Sequence, residues 1–218
     1  MPPSGNRGEA SGPALSRDFF ARPAELVAPD LVGRLLTVDA GGADEVRAWI
    51  VETEAYLGMR DPASHAHRGP TPRSAIMFGP PGHLYVYFTY GMHHCANVVT
   101  DGTGTAGAVL LRAAMVESGA KVVRGRRRAP AATVIADNAL LRGPGNLSRG
   151  LGLDLRDNGA DLCGVAGRVV ISSGRGRRPP IAVGPRIGIR RAVDSPLRFA
   201  WAGHPAVSRP RPGGVPRC

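Results

Sequence analysis

The chain has 218 residues, 43% of them hydrophobic, with 28 Lys and Arg against 17 Asp and Glu and a net charge of +11. That size suits one domain with a real core rather than two. No apolar run approaches the ~20 residues that cross a bilayer as a helix, so a cytoplasmic protein with no membrane span is expected. The positive surplus draws the chain to polyanions. Lys121 is its only lysine, so arginine carries the charge, and the planar guanidinium fork matches phosphate oxygens. The three cysteines, Cys95, Cys163 and Cys218, are odd in number and lack CxxC spacing, which argues against a disulfide framework or a zinc knuckle. Cys95, in an apolar segment, reads as a small buried hydrophobe.

Residues 1–17 are rich in Gly, Pro, Ser and Ala and read as a flexible tail, as do residues 210–218. The span between, 18–209, is the expected domain. Leu26, Val27, Leu31, Leu35 and Leu36 fall near helical spacing over 23–36. Residues 36–39 and 46–54 read as strands around the turn Gly41-Gly42. A long Gly/Pro-rich loop covers 57–83, with a short helix starting at Thr71-Pro72. Residues 84–90 form a strand with Leu84, Val86 and Phe88 on one face and Tyr85 and Tyr87 on the other. Further strands are expected at 97–100, 108–112, 169–172 and 187–189, a basic loop at 117–135, and a helix at 146–151. Gly150 lies inside that helix and weakens it by propensity. Short turns rather than helical crossovers join the strands. The predicted class is therefore α+β: a single domain with a mainly antiparallel, curved β-sheet core and surrounding helices.

All four tyrosines, Tyr56, Tyr85, Tyr87 and Tyr90, fall between residues 56 and 90. A phenol ring has an apolar face and a polar edge, which suits a pocket that stacks a flat heterocycle. Beside them, VETEAY at 51–56 puts Glu52, Glu54 and Tyr56 on one face of a strand. A glutamate at a strand end against an aromatic wall can be desolvated into a useful general base. The same pair also fits surface carboxylates paired with some of the many arginines, and the residues alone leave both readings open.

VETEAY, MFGPPGHLYVYFTYGMHHCANVV at 77–99, VLLRA at 109–113, GPGNL at 143–147, PRIGI from 185 and SPLRF from 195 form an ordered set. With them the chain resembles the alkyladenine (3-methyladenine) DNA glycosylase family, which is related to the human alkylpurine glycosylase and distinct from the helix-hairpin-helix glycosylases. The resemblance spans roughly residues 18–209. It implies a monofunctional enzyme of base excision repair that flips alkylated purines out of double-stranded DNA and hydrolyses their bond to deoxyribose. It implies Glu54 as the base for the attacking water, with Arg112 helping to hold that water. Tyr56 and Tyr87 would stack on the base, and His65 would complete the pocket. Asn97 would crowd the amino group of normal guanine, and Tyr90 would be the wedge that fills the gap in the duplex.

A lyase mechanism needs an amine, and the lone Lys121 lies far in sequence from the tyrosine segment, so water is the expected nucleophile. His65, His67, His93 and His94 lack an HExxH pattern; no metal and no cofactor is expected. Asp61 could orient one of these histidines. Phosphate-gripping candidates are Arg73, Arg126, Arg127, Arg128, Arg175, Arg177 and Arg178. Nothing suggests an oligomer, so a monomer is expected, associated with the nucleoid when bound to DNA. The rival readings are a non-catalytic lesion-binding protein and a metal-dependent nuclease.

Overall fold

The computed structural model describes residues 12–89, 91–127, 134–164, 167–174 and 178–212. Among the described residues four helices, α1 (Arg17–Phe20), α2 (Ala24–Leu31), α3 (Ala120–Arg127) and α4 (Pro144–Leu151), surround one sheet. Its strands are β1 (Leu35–Val38), β2 (Val46–Tyr56), β3 (Leu84–Thr89), β4 (His93–Thr100), β5 (Gly107–Ser118), β6 (Leu141–Arg142), β7 (Val169–Ser172), β8 (Ile181–Gly184) and β9 (Arg198–Trp201). The path runs β3-β4-β5-β2-β1-β7, with β6 added to β5 and the β8–β9 pair added to β2. Every pairing among the described residues is antiparallel, and short connections dictate this for β1–β2, β3–β4 and β4–β5.

The two longest strands, β2 and β5, carry the feature that matters most. Val46, Ala48 and Ile50 of β2 face the main core, and so does Ala55. Even positions face inward before residue 51 and odd positions after it. The switch is a bulge: Ile50 pairs with Ala114 and Glu52 with Ala113, leaving Val51 extra. On β5, Thr53 pairs with Leu111, so Arg112 is the extra residue. Without these irregularities the period of two would carry Glu52, Glu54 and Tyr56 into the apolar core. With them, Thr53 faces α2 and its hydroxyl donates to the Ala28 carbonyl at 2.8 Å, while the two glutamates turn to the other side.

Several expectations need correction. The helix predicted for 23–36 stops at Leu31, because Gly33 takes φ +85° and Leu35 joins β1. The segment from Thr71 is a turn, in which the Thr71 hydroxyl accepts from the Ser74 amide, followed by a 3-10 helix at Ala75–Phe78. The basic stretch within 117–135 is partly α3, which buries Val123 while Arg124 and Arg127 donate to carbonyls of residues 135–140. Residues 187–189 form no strand; they wall the pocket described below. The strands β8 and β9 have no counterpart among the predicted elements. Residues 13–15, grouped with the tail by composition, pair along β7: the Leu15 amide donates to the Ile171 carbonyl at 2.8 Å. No helix of the described residues is long and apolar enough to cross a membrane.

Two glycines are fixed by close approach. Gly58, at φ +62°, follows Tyr56 so closely under Ala106 that a Cβ would lie 1.7 Å from the Ala106 carbonyl oxygen. Gly150 lies in α4 where a Cβ would meet Leu141 at 2.5 Å and Val123 at 3.0 Å, both fully buried. Helix propensity favours alanine at such a position by about 1 kcal/mol. Overpacking a filled core costs about 1–3 kcal/mol. Gly150→Ala is therefore expected to lower the thermal midpoint; a raised midpoint would mean that propensity outweighs packing here.

Candidate active site

A cavity of about 490 Å³ opens on the face of β2–β5 turned away from the main core. That volume is in the range of small-molecule pockets. Strand β2 contributes Tyr56, β3 Tyr85 and Tyr87, β4 Cys95 and Asn97, and β5 Ala108, Leu110 and Arg112. His65 enters from the loop after β2, Pro144 from the start of α4, and Ile187 to Arg191 from the loop after β8.

The aromatic wall is held edge to face. The His65 and Tyr87 rings lie 4.6 Å apart at 74°, and His65 Nδ1 is hydrogen-bonded to the Tyr85 hydroxyl at 2.9 Å. Burial, helped by nearby Arg73, lowers the pKa of His65 and favours the neutral ring. Guanidinium groups back two of the tyrosines. Arg186 lies 4.7 Å from the centre of the Tyr56 ring and Arg73 4.7 Å from that of Tyr87. Arg186 is itself buried and anchored to the Asp61 carboxylate at 2.9 Å and the Ala55 carbonyl at 3.0 Å. Asp61 thus orients an arginine and not a histidine.

Glu54 lies directly beneath this wall. Its carboxylate is fully buried, accepts hydrogen bonds from the Ile187 amide at 2.8 Å and the Tyr56 hydroxyl at 2.9 Å, and is ion-paired with Arg112 at 3.1 Å. Glu54 is not itself on the cavity surface, but all three partners are. Burial raises its pKa above the ordinary carboxylate range. Arg112, the Ile187 amide and the Tyr56 hydroxyl offset that only in part, and Glu52 adds to the rise. Burial, with Glu54 alongside, holds the Tyr56 phenol protonated as the donor.

Glu52 plays a different part. It contacts Arg112, Arg198 and Ser208 rather than any tyrosine. Burial alone would raise its pKa, but the two guanidiniums and the Ser208 donors outweigh burial and hold it low.

Asn97 is buried at the cavity floor, with its amide nitrogen donating to the Tyr85 carbonyl at 3.1 Å. Cys95 is buried as expected but also lines the cavity. Tyr90, Arg128, Arg175 and Arg177 lie outside the described residues. The chain beside Tyr90 is exposed at Phe88 and Met92. Arg126 is bonded to Asp39 and the Leu151 carbonyl, Arg127 to the carbonyls of Ala139 and Leu140, and Arg178 to Asp30. Those three are tied to their own chain. Sequence reasoning overlooked Ile187, Arg186, Arg190, Arg191, Arg198 and Ser208. Arg186 and Arg198 stand inside the PRIGI and SPLRF motifs, which was the available signal. Among the described residues no group of three His, Cys, Asp or Glu side chains comes together as a metal site.

Comparison with known proteins fits this geometry. The family model described as methylpurine-DNA glycosylase matches residues 18–205. The chain belongs to the methylpurine-DNA glycosylase family. Its relatives include proteins of Frankia casuarinae, 47% identical over 92% of this chain and 94% of theirs, and of Burkholderia lata, 45% identical over 91% and 93%. A Corynebacterium jeikeium relative is 45% identical over 91% and 93%. Each is named "Putative 3-methyladenine DNA glycosylase". The match covers every element from α2 through β9, so the cavity and both glutamates lie inside it.

Proposed function

We propose that this protein is a monofunctional DNA N-glycosylase that extrudes alkylated purines from double-stranded DNA, acting as a monomer, and hydrolyses their N-glycosyl bond. The observation that supports this best is the convergence of three cavity-lining partners, two hydrogen-bond donors and one guanidinium, on the buried Glu54 carboxylate. The extruded base stacks between Tyr56 and the Tyr87–His65 wall, with Asn97 at the floor. A purine made cationic by alkylation suits electron-rich rings and is a ready leaving group. As its bond to C1′ stretches, the deoxyribose gains oxocarbenium character. Glu54 stabilises that charge and takes a proton from water, whose oxygen bonds to C1′ while the purine departs with the bonding electron pair. The products are free base and an abasic site. Tyr56 and Ile187 cover the carboxylate, so on this reading base binding uncovers it. Movement of the Ile187–Arg191 loop as the nucleotide enters is the simplest route.

Tyr90 would be the wedge that fills the vacated stack, and the exposure of its neighbours Phe88 and Met92 suits that role. The phosphates have a natural grip at the cavity mouth. Arg190 and Arg191 are exposed on the rim, and among the described residues neither has a carboxylate partner. Arg73 is exposed too, beside Tyr87. The single lysine, Lys121, is on α3 and not among the cavity residues, which favours water over a Schiff base.

Two measurements check this. Glu54→Gln should slow single-turnover excision by about 10²–10⁴-fold while duplex binding persists. In the parent protein the rate should fall as pH drops through the raised Glu54 pKa, because the base must be ionised. A Glu54→Gln variant that excises normally defeats the assignment. Separately, replacing both Arg190 and Arg191 with alanine should flatten the slope of log binding constant against log salt by about 0.9 for each phosphate no longer neutralised. An unchanged slope removes the rim arginines from the DNA interface.

A further inference from the structure

Two buried carboxylates share one guanidinium beneath the cavity. Arg112 Nε donates to Glu52 at 3.0 Å, and its Nη1 lies 3.1 Å from Glu54. Behind Glu52 stands a second layer: Arg198 Nε at 2.6 Å, the Ser208 amide at 2.8 Å and the Ser208 hydroxyl at 2.7 Å. Arg198 also donates to the Ser208 carbonyl at 3.0 Å. None of Glu52, Glu54, Arg112, Arg198 and Ser208 is more than 7% exposed. Each buried ion is costly to desolvate. Holding Arg112 beside Glu54 takes only one carboxylate, so a second anion locked by four donors has a different consequence: it fixes how the guanidinium's charge is divided.

We propose that Glu52 is a positioning residue for Glu54: anchored by Arg198 and Ser208, it holds the Arg112 fork between the two carboxylates and so limits how strongly Arg112 stabilises the ionised Glu54. The inference rests on Glu54 being the base. Other groups also face Glu54: the Tyr56 hydroxyl on β2, the Ile187 amide and the Arg186 guanidinium from the loop after β8, and the Cys95 thiol on β4. Only Glu52 and Arg112 carry opposite charges that compete along one short path. The charge order is therefore Arg198, Glu52, Arg112, Glu54, alternating in sign. Neutralising Glu52 leaves all of Arg112 to Glu54 and removes a like charge, and both effects ease ionisation of Glu54. Removing the Ser208 hydroxyl, which donates to Glu52 at 2.7 Å and accepts from Arg112 Nη2 at 3.4 Å, acts in the opposite sense. Glu52 then leans more heavily on Arg112 and draws it away from Glu54.

The test is the single-turnover excision rate against pH, using a duplex with one 7-methylguanine, a cationic lesion whose departure needs no proton. Glu52→Gln should move the acid limb down by about 1 pH unit and lower the plateau, since a more readily ionised carboxylate is a weaker base. Ser208→Ala should move the same limb up. If Glu52→Gln does not fold, the upward shift in Ser208→Ala decides the matter alone. A purely structural role would lower both plateaus and leave both limbs in place, and that result overturns the proposal. It leaves the parent reading intact so long as Glu54→Gln is inactive. A fully active Glu54→Gln would instead overturn the parent reading.

Discussion

The buried guanidinium of Arg112 is the contact on which the site depends. It meets two carboxylates that are themselves fully buried, and it reaches them because β2 and β5 each insert one extra residue at the same level of the sheet. One bulge turns Glu52 and Glu54 away from the apolar core; the other turns Arg112 to the same side. Each charged group alone would be costly to bury, and removing one partner would strand the other. The ion pairs and the local sheet geometry thus support each other.

From that anchor the rest of the cavity follows by short steps. Glu54 ties down the Tyr56 hydroxyl, and Arg186 supports the same ring from behind while bound to Asp61. The neighbouring strands β3 and β4 supply Tyr87, Tyr85 and Asn97 at the strand period, and His65 locks the tyrosine pair from the preceding loop. The loop after β8 closes the last side and brings the Ile187 amide to Glu54.

Much of this was legible in the sequence, and for identifiable reasons. Tyr85, Tyr87 and Leu84 lie on a strand with clean alternation, so their faces could be read directly, whereas Asn97 was pointed to by the family resemblance. The pairing of Glu54 with Tyr56 needed only the period of two. The donors to the glutamates were hidden because they are distant or carried by the backbone: Ile187 is 133 positions from Glu54, and Ser208 is 156 positions from Glu52. Bulges leave no mark in a hydrophobic pattern, so the location of Glu52 and Glu54 relative to the core could not be derived. The arginines of α3 masked a short helix whose buried contact is Val123, and Gly150 looked like a weak helix residue because the Leu141 side chain that excludes a Cβ belongs to another element.

In the proposed reaction the buried carboxylate of Glu54 has to meet water once a nucleotide is in the cavity, and every catalytic role proposed above depends on that exposure. A structure of the protein bound to a lesion-bearing duplex with a hydrolysis-resistant 2′-fluoro sugar tests it directly. The expected result is a base between Tyr56 and Tyr87 and an ordered water hydrogen-bonded to Glu54 facing C1′. A base in the cavity with Glu54 still capped by Ile187 and Tyr56, and no water at the carboxylate, would contradict it.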